Sequence, residues 1–162
     1  MRLLFTALAC LISVSLFGQG ACNNQTSITY HGYEYEIVEI GDQCWFAENL
    51  RAENYRNGEE IFNLQSDEDW SSTPSGAQCA FGNFESAVDE NGRLYNGYAV
   101  LDDRRLCPMQ WHVPSEEDFE SLELFSGVPS EEIWEYGFRG TTQGAGQKLK
   151  SQAGWCLSLI HI

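Results

Sequence analysis

The sequence predicts a mixed α+β domain of short antiparallel strands, two short helices and long loops. Three observations carry that expectation. Residues 33–38 read Tyr-Glu-Tyr-Glu-Ile-Val between the turn dipeptides His31-Gly32 and Gly41-Asp42, an alternation of apolar and acidic side chains that leaves one face of a strand wet. Residues 114–119, Pro-Ser-Glu-Glu-Asp-Phe, read as the capped start of a helix. The stretches around them, above all Ser66 to Gly76, are too polar and too rich in Ser, Pro and Gly for regular structure.

Taken in order, Met1-Arg2, the apolar run Leu3 to Phe17 and the small residues up to Ala21 read as a secretory signal peptide over 1–21, cut between Gly18 and Ala21. The run is too short for a membrane span. A lipoprotein signal ending at Cys22 is the alternative, although Gln19 stands where such signals want an aliphatic residue. After a short segment at 22–27, Tyr30 to Phe46 should form two or three strands packed by their aromatic side. Trp45 and Phe46 open the next piece, whose Glu48, Asn49 and Arg51 either serve a polar site or satisfy buried loop backbone. Residues 52–76 are expected to be mostly irregular, with a turn at Asn57-Gly58 and an exposed loop that carries Trp70.

Asn91-Gly92 signals a hairpin, and the run Leu94, Tyr95, Tyr98, Ala99, Val100 suits either a buried strand or a buried helical turn. The main helix should start at Ser115, present Phe119 and Leu122 on one face, and stop at Gly127 before Pro129. Pro129-Ser130-Glu131-Glu132-Ile133-Trp134 repeats the acid-first opening and predicts a second short helix ended by Gly137. Arg139 to Lys148 superficially suggests a phosphate loop, but it lacks the glycine before Lys148 and a preceding strand, so a turn is expected. Leu157 to Ile162 matches one translated frame of a transposase sequencing adapter. Residues 156–162 are therefore read as a non-native tail, and the natural chain is expected to run on past Trp155; a genuine short apolar C-terminus is the alternative.

At 162 residues the chain has room for one domain once the leader is removed. The formal charge is −15, and loss of Arg2 with the leader leaves 24 acidic against 8 basic side chains. Such a surface disfavours phosphate backbones and anionic lipid, so no nucleic-acid partner is expected. The simplest reading of the acidity is a solvated extracellular surface. Oligomeric state is left open.

Several segments together resemble one family. They are Ile40-Gly41-Asp42-Gln43-Cys44-Trp45-Phe46-Ala47-Glu48-Asn49-Leu50-Arg51, Gly76 to Cys79, Tyr95-Asn96, Tyr98-Ala99-Val100, Leu106-Cys107-Pro108, and Trp111-His112-Val113-Pro114-Ser115. In order and spacing they resemble the Fibrobacter succinogenes major paralogous domain, over residues 28–155, as an incomplete copy. Gly97 and Phe119 stand where that family usually has tryptophan, and Met109-Gln110 replaces a Ser-Gly turn. At a greater distance the resemblance reaches the C-type-lectin-like superfamily, which implies short strands, two helices and long ligand-binding loops. It also reaches the formylglycine-generating enzymes. In that kinship later strands complete the central sheet, so an incomplete copy would leave an edge open.

Leaving out Cys10 in the leader and Cys156 in the tail, the cysteines are Cys22, Cys44, Cys79 and Cys107. An exported chain favours disulfides, and four cysteines allow three pairings that the sequence does not rank. Cys22 with Cys44 and Cys79 with Cys107 is the preferred set. Cys107 and His112 are the one close thiol–imidazole pair, so no metal site is expected, and His112 is read as a packed histidine bonding loop backbone. No cofactor is expected. Calcium in a lectin-like loop is the alternative, against the absence of Glu-Pro-Asn and Trp-Asn-Asp.

The chain contains no nucleophile elbow, zinc helix or dinucleotide fingerprint, and it is not expected to be an enzyme. The leading expectation is a secreted or cell-surface binding module for a polysaccharide or surface protein. Trp45, Glu48, Asn49 and Trp70 would be its ligand contacts, because an aromatic face packs on a pyranose while polar side chains take its hydroxyls. The alternatives are a structural component of the cell surface carried by a sorting domain, and an oxidase fragment of the formylglycine-generating type that would be inactive at this length.

Overall fold

The structure, a computed structural model, describes residues 20–149. The expected leader, but for Gly20 and Ala21, and the expected tail with Cys156 lie outside them. The architecture is α+β, with two three-stranded sheets, short helices and long connections.

The first sheet is an antiparallel meander of β1 (Ser27–Tyr30), β2 (Tyr33–Ile40) and β3 (Gln43–Phe46). His31 and Gly32 both adopt positive φ, the conformation that lets a two-residue turn follow the twist of its strands. The alternation in β2 works as its pattern demands, since Tyr35 and Ile37 are buried and Glu34 and Glu36 face water. Phe46 lies opposite Ile37 on the buried face, and its ring meets that of Tyr35 edge-on at 5.1 Å. A disulfide between Cys22 and Cys44 fastens the N-terminal turn to β3.

The second sheet has β5 (Ala77–Ala80) in its centre, parallel to β4 (Phe62–Asn63) and antiparallel to β6 (Arg93–Tyr95). The β4–β5 connection carries α1 (Asp67–Ser72) where an irregular loop was expected. The signal for it was present: the Ser66 hydroxyl accepts from the Asp69 N–H, with three acidic residues in the first turn. Between β5 and β6 lies α2 (Val88–Asn91).

The run from Leu94 takes both of its expected forms in succession. It ends β6 and then coils into α3 (Gly97–Val100), capped by Asn96. The Asn96 side chain accepts from the N–H groups of Ala99 and Ala77 and donates to the Ser75 carbonyl, joining helix to sheet. Because the chain switches period there, only Ala99 of the run is buried, and Leu94 and Tyr98 face outward.

The main helix, α4 (Glu116–Ser126), starts and stops as the sequence indicates. Ser115 and Asp118 form a reciprocal capping box, and Gly127 closes the helix in the left-handed conformation, φ 96°. It lies on the outward face of β3. Trp45 packs on Phe119 with centroids 5.7 Å apart, and the Gln43 amide donates to the Asp118 carbonyl. Phe125 comes so close to Gly41 that a Cβ there would stand 2.8 Å from its ring.

The second helix predicted from Pro129 does not form; residues 130–137 make successive turns, and the short helix that follows is α5 (Ala145–Lys148). Of that segment only Ile133 is buried, packing with Val128 and Ala145. One apolar anchor gives a helix no stripe to bury. The Ser130 hydroxyl donates to the Glu131 carboxylate instead of capping a turn. The larger core consists of Tyr55, Ile61, Ala99 and Leu106, with Leu50, Tyr95, Val100 and Val113 around it.

Candidate functional site

The four expected ligand contacts lie on three different pieces of the chain: β3, the loop after it, and α1. Trp45 is half-buried against Phe119, and its indole N–H donates to Gln43. Glu48 ion-pairs with Arg51 and accepts from the Glu36 N–H, and the Asn49 amide donates to the Asn91 carbonyl at 3.0 Å. Arg51 in turn donates to the Asp89 carbonyl. These polar groups tie the first sheet to the segment that precedes β6, which is the structural one of the two roles open to them. Trp70 sits apart in sequence and element, half-buried on α1 beside the exposed acids Asp67, Glu68 and Asp69.

The signature residues also hold the fold. The Tyr95 hydroxyl donates to the Ala52 carbonyl at 2.8 Å. Arg56 gathers the loop around Pro108, donating from Nε to the Cys107 carbonyl and from Nη2 to those of Pro108 and Trp111. Trp111 packs on Phe46 at 4.5 Å. Pro108 is buried, and Pro114 lies just ahead of the Ser115 cap. His112 departs from its expected role. It is exposed, and its Nε2 lies 2.8 Å from Asp118 Oδ2, because the capping box fixes that carboxylate at the mouth of α4. The Ser115 N–H and then His112 hold the Asp118 carboxyl below its usual range.

Among the described residues Arg93 is the buried charge, its side chain 3% exposed. It donates to Gln78 at 3.0 Å and pairs with Glu53 and Glu85, so a single guanidinium joins β5, β6 and two loops. Burial pulls its pKa down, but its bond to Glu85 and the charges of Glu53 and Glu85 more than restore it. The same bond keeps the Glu85 carboxyl low.

The pairing expected for Cys79 and Cys107 is absent, and both are half-buried free thiols. Burial pushes the Cys107 thiol up to about 11, against the opposing charge of Arg56, and raises Cys79 too. A thiol so placed is protonated at neutral pH. Among the described residues no three His, Cys, Asp or Glu side chains come together in a way that could hold a metal ion.

What sequence reasoning missed is the 134–138 segment. Trp134 is 69% exposed, and Tyr136 and Phe138 are fully exposed. The base of this loop is tied down beneath them: Ile133 is buried, Arg139 donates to the carbonyls of Ile133 and Glu135 and pairs with Glu123, and the Glu132 carboxylate accepts from the Gly140 N–H. The available signal was the spacing Trp-x-Tyr-x-Phe, two residues apart, which cannot place three rings on one face of a helix.

Fold and surface together define a small loop-rich α+β domain, stapled among the described residues by one disulfide, whose signature residues build the scaffold and three of whose aromatic side chains stand exposed on a tethered loop. Residues 38–160 match the Fibrobacter succinogenes major domain, and the chain belongs to that family. No curated protein and no solved structure matches the chain.

Proposed function

We propose that this protein is an exported binding module that holds a polysaccharide or cell-surface glycan on the aromatic loop at 134–138. The observation that carries the reading is the exposure of Trp134, Tyr136 and Phe138 on a loop whose base is anchored. Burying one such side chain stabilises a fold by roughly 1.5–3 kcal/mol, and this loop forgoes that three times over. Exposed apolar clusters of this kind mark contact surfaces. Aromatic faces pack on the apolar faces of sugars, and the neighbouring Glu131 and Glu135, both exposed, are placed to accept from hydroxyls.

Export is supported by the leader pattern and by the Cys22–Cys44 disulfide, which persists in oxidising compartments. Binding is favoured over thiol chemistry because the Cys107 thiol is pushed up, the reverse of what a nucleophile needs. Trp70 on α1 is the second candidate contact.

The test is retention of the leaderless protein on cellulose, xylan and chitin. Trp134→Ala and Tyr136→Ala should each weaken retention about tenfold, the equivalent of about 1.4 kcal/mol. Trp70→Ala should have a smaller effect. Unchanged retention in the first two variants would remove this loop from the site.

A further inference from the structure

We infer that the cleft lined by Arg56, Asn57, Asp103, Arg104 and Arg105 is a subsite for an oxyanion carried on a sugar, a uronate carboxylate or a sulfate ester. This deepens the binding-module reading and rests on it, but on a different surface from the aromatic loop.

The argument starts from charge. In a chain with 24 acidic and 9 basic residues, any accessible cation should find a carboxylate. Among the described residues Arg51, Arg93, Arg104 and Arg139 all do. Arg56, Arg105 and Lys148 do not; Lys148 donates to the Ser126 carbonyl, whereas the two arginines line the same shallow cleft of about 560 Å³. They are built together: the Arg56 N–H donates to the Arg105 carbonyl at 2.8 Å.

Arg56 is also held in place before any ligand arrives. Its Nε and Nη2 are taken by the three carbonyls of the 107–111 loop, which leaves Nη1 with no partner among the described residues. A guanidinium fixed by carbonyls keeps its full charge and loses little freedom on binding. Arg105 is exposed, at positive φ of 64°, an uncommon conformation for a residue other than glycine. Its side chain has no hydrogen bond or ion pair among the described residues.

Arg104 contributes differently. Its charge is matched by Asp102 and Glu59, and its guanidinium lies 3.9 Å from the centre of the Tyr55 ring, so it lines the cleft without offering an unmatched charge. Asn57 uses its side-chain oxygen to accept from the Glu59 N–H, which leaves its amide hydrogens for a ligand. Asp103 is the one carboxylate in the lining and opposes an anion. Remote acids matter less, because charges beyond about 8 Å are largely screened at physiological salt.

The experiment measures binding of three probes to the leaderless protein at physiological salt by calorimetry: a trigalacturonate, a sulfated galactan oligomer and a neutral galactan trimer. One or both acidic probes should bind at least tenfold more tightly than the neutral one, and which of them does names the oxyanion. Arg105→Gln should weaken the acidic probe about tenfold, the loss of one charge-assisted contact, and leave the neutral one unchanged. Asp103→Asn should tighten the acidic probe several-fold. Arg56 is not the variant of choice, because it also ties the 107–111 loop. An acidic preference that Arg105→Gln removes and Trp134→Ala leaves intact supports the cleft whatever the role of the aromatic loop. Equal binding of acidic and neutral probes, abolished by Trp134→Ala, overturns the cleft and leaves the loop reading standing. An acidic preference indifferent to both Arg105→Gln and Asp103→Asn also overturns it.

Discussion

Removing the Cys22–Cys44 disulfide should cost a large part of the stability of the domain. The two cysteines are 22 residues apart, and Cys22 is buried where the N-terminal turn meets β3. Closing a loop of that length removes about 11 cal/mol/K of chain entropy from the unfolded state, which is about 3.4 kcal/mol at 25 °C. Little else holds the turn down, since the Cys22 N–H reaches the Glu39 carboxylate only at 3.4 Å. For a domain of this size the loss corresponds to a fall of roughly 10 °C in Tm. The assay is a thermal melt of the chain from residue 20 onward with and without reductant, alongside the double variant Cys22→Ser/Cys44→Ser. Both should melt at the same lowered temperature. Cys79→Ser and Cys107→Ser, which break no bond, should keep their sensitivity to reductant. A reductant shift below about 2 °C, or peptide mapping that links Cys79 to Cys107, would show that this disulfide does not hold the domain together.

Arg93→Met should destabilise by about 3 kcal/mol in urea unfolding, because it leaves the buried Gln78 acceptor unpaired and removes a charge-assisted bond. Glu85→Gln, changing an exposed partner, should cost under about 1 kcal/mol. Ser115→Ala should cost about 1 kcal/mol through loss of the α4 cap, with the m-value unchanged. Hydrogen bonds from Arg104 hold the Asp102 carboxyl down to about 2, below its unfolded 3.8. Its contribution is therefore present above about pH 4 and lost as the pH falls from there through 2, and Asp102→Asn should flatten that part of the acid-unfolding curve.

The parts of this molecule that depend on neighbours in sequence were legible. Ser115 with Asp118, Gly127 and the His31-Gly32 turn each state their own geometry, and the structure adopts all of them. The alternation in β2 likewise names its buried side. What escaped depends on distant partners or on a missing one. Arg56 meets carbonyls more than fifty residues away, and Arg93 meets Glu53 across forty, which no local pattern reveals. Glu48, Asn49 and Trp45 suit a site by residue type, and the long-range hydrogen bonds and the α4 contact that engage them are not visible in any local pattern. The segment from Pro129 carries good capping residues yet only one buried anchor, and without a stripe to pack the cap has no helix to start. The family signature itself was readable because it is local, whereas the role of its residues in holding loops together was visible only once Arg56 and Asn96 were seen in place.

Glycan contact at the exposed aromatic loop, 134–138, is what we propose for this protein. The tryptophan fluorescence of Trp134 tests it, read in the chain from residue 20 onward as soluble oligosaccharides of cellulose, xylan and chitin are titrated in, with Trp134→Phe as the subtraction control. A saturable blue shift is expected, one that vanishes in the Trp134→Phe control and weakens about tenfold in Tyr136→Ala. No change in the Trp134 signal at ligand concentrations that retain the protein on the matching polysaccharide would contradict it.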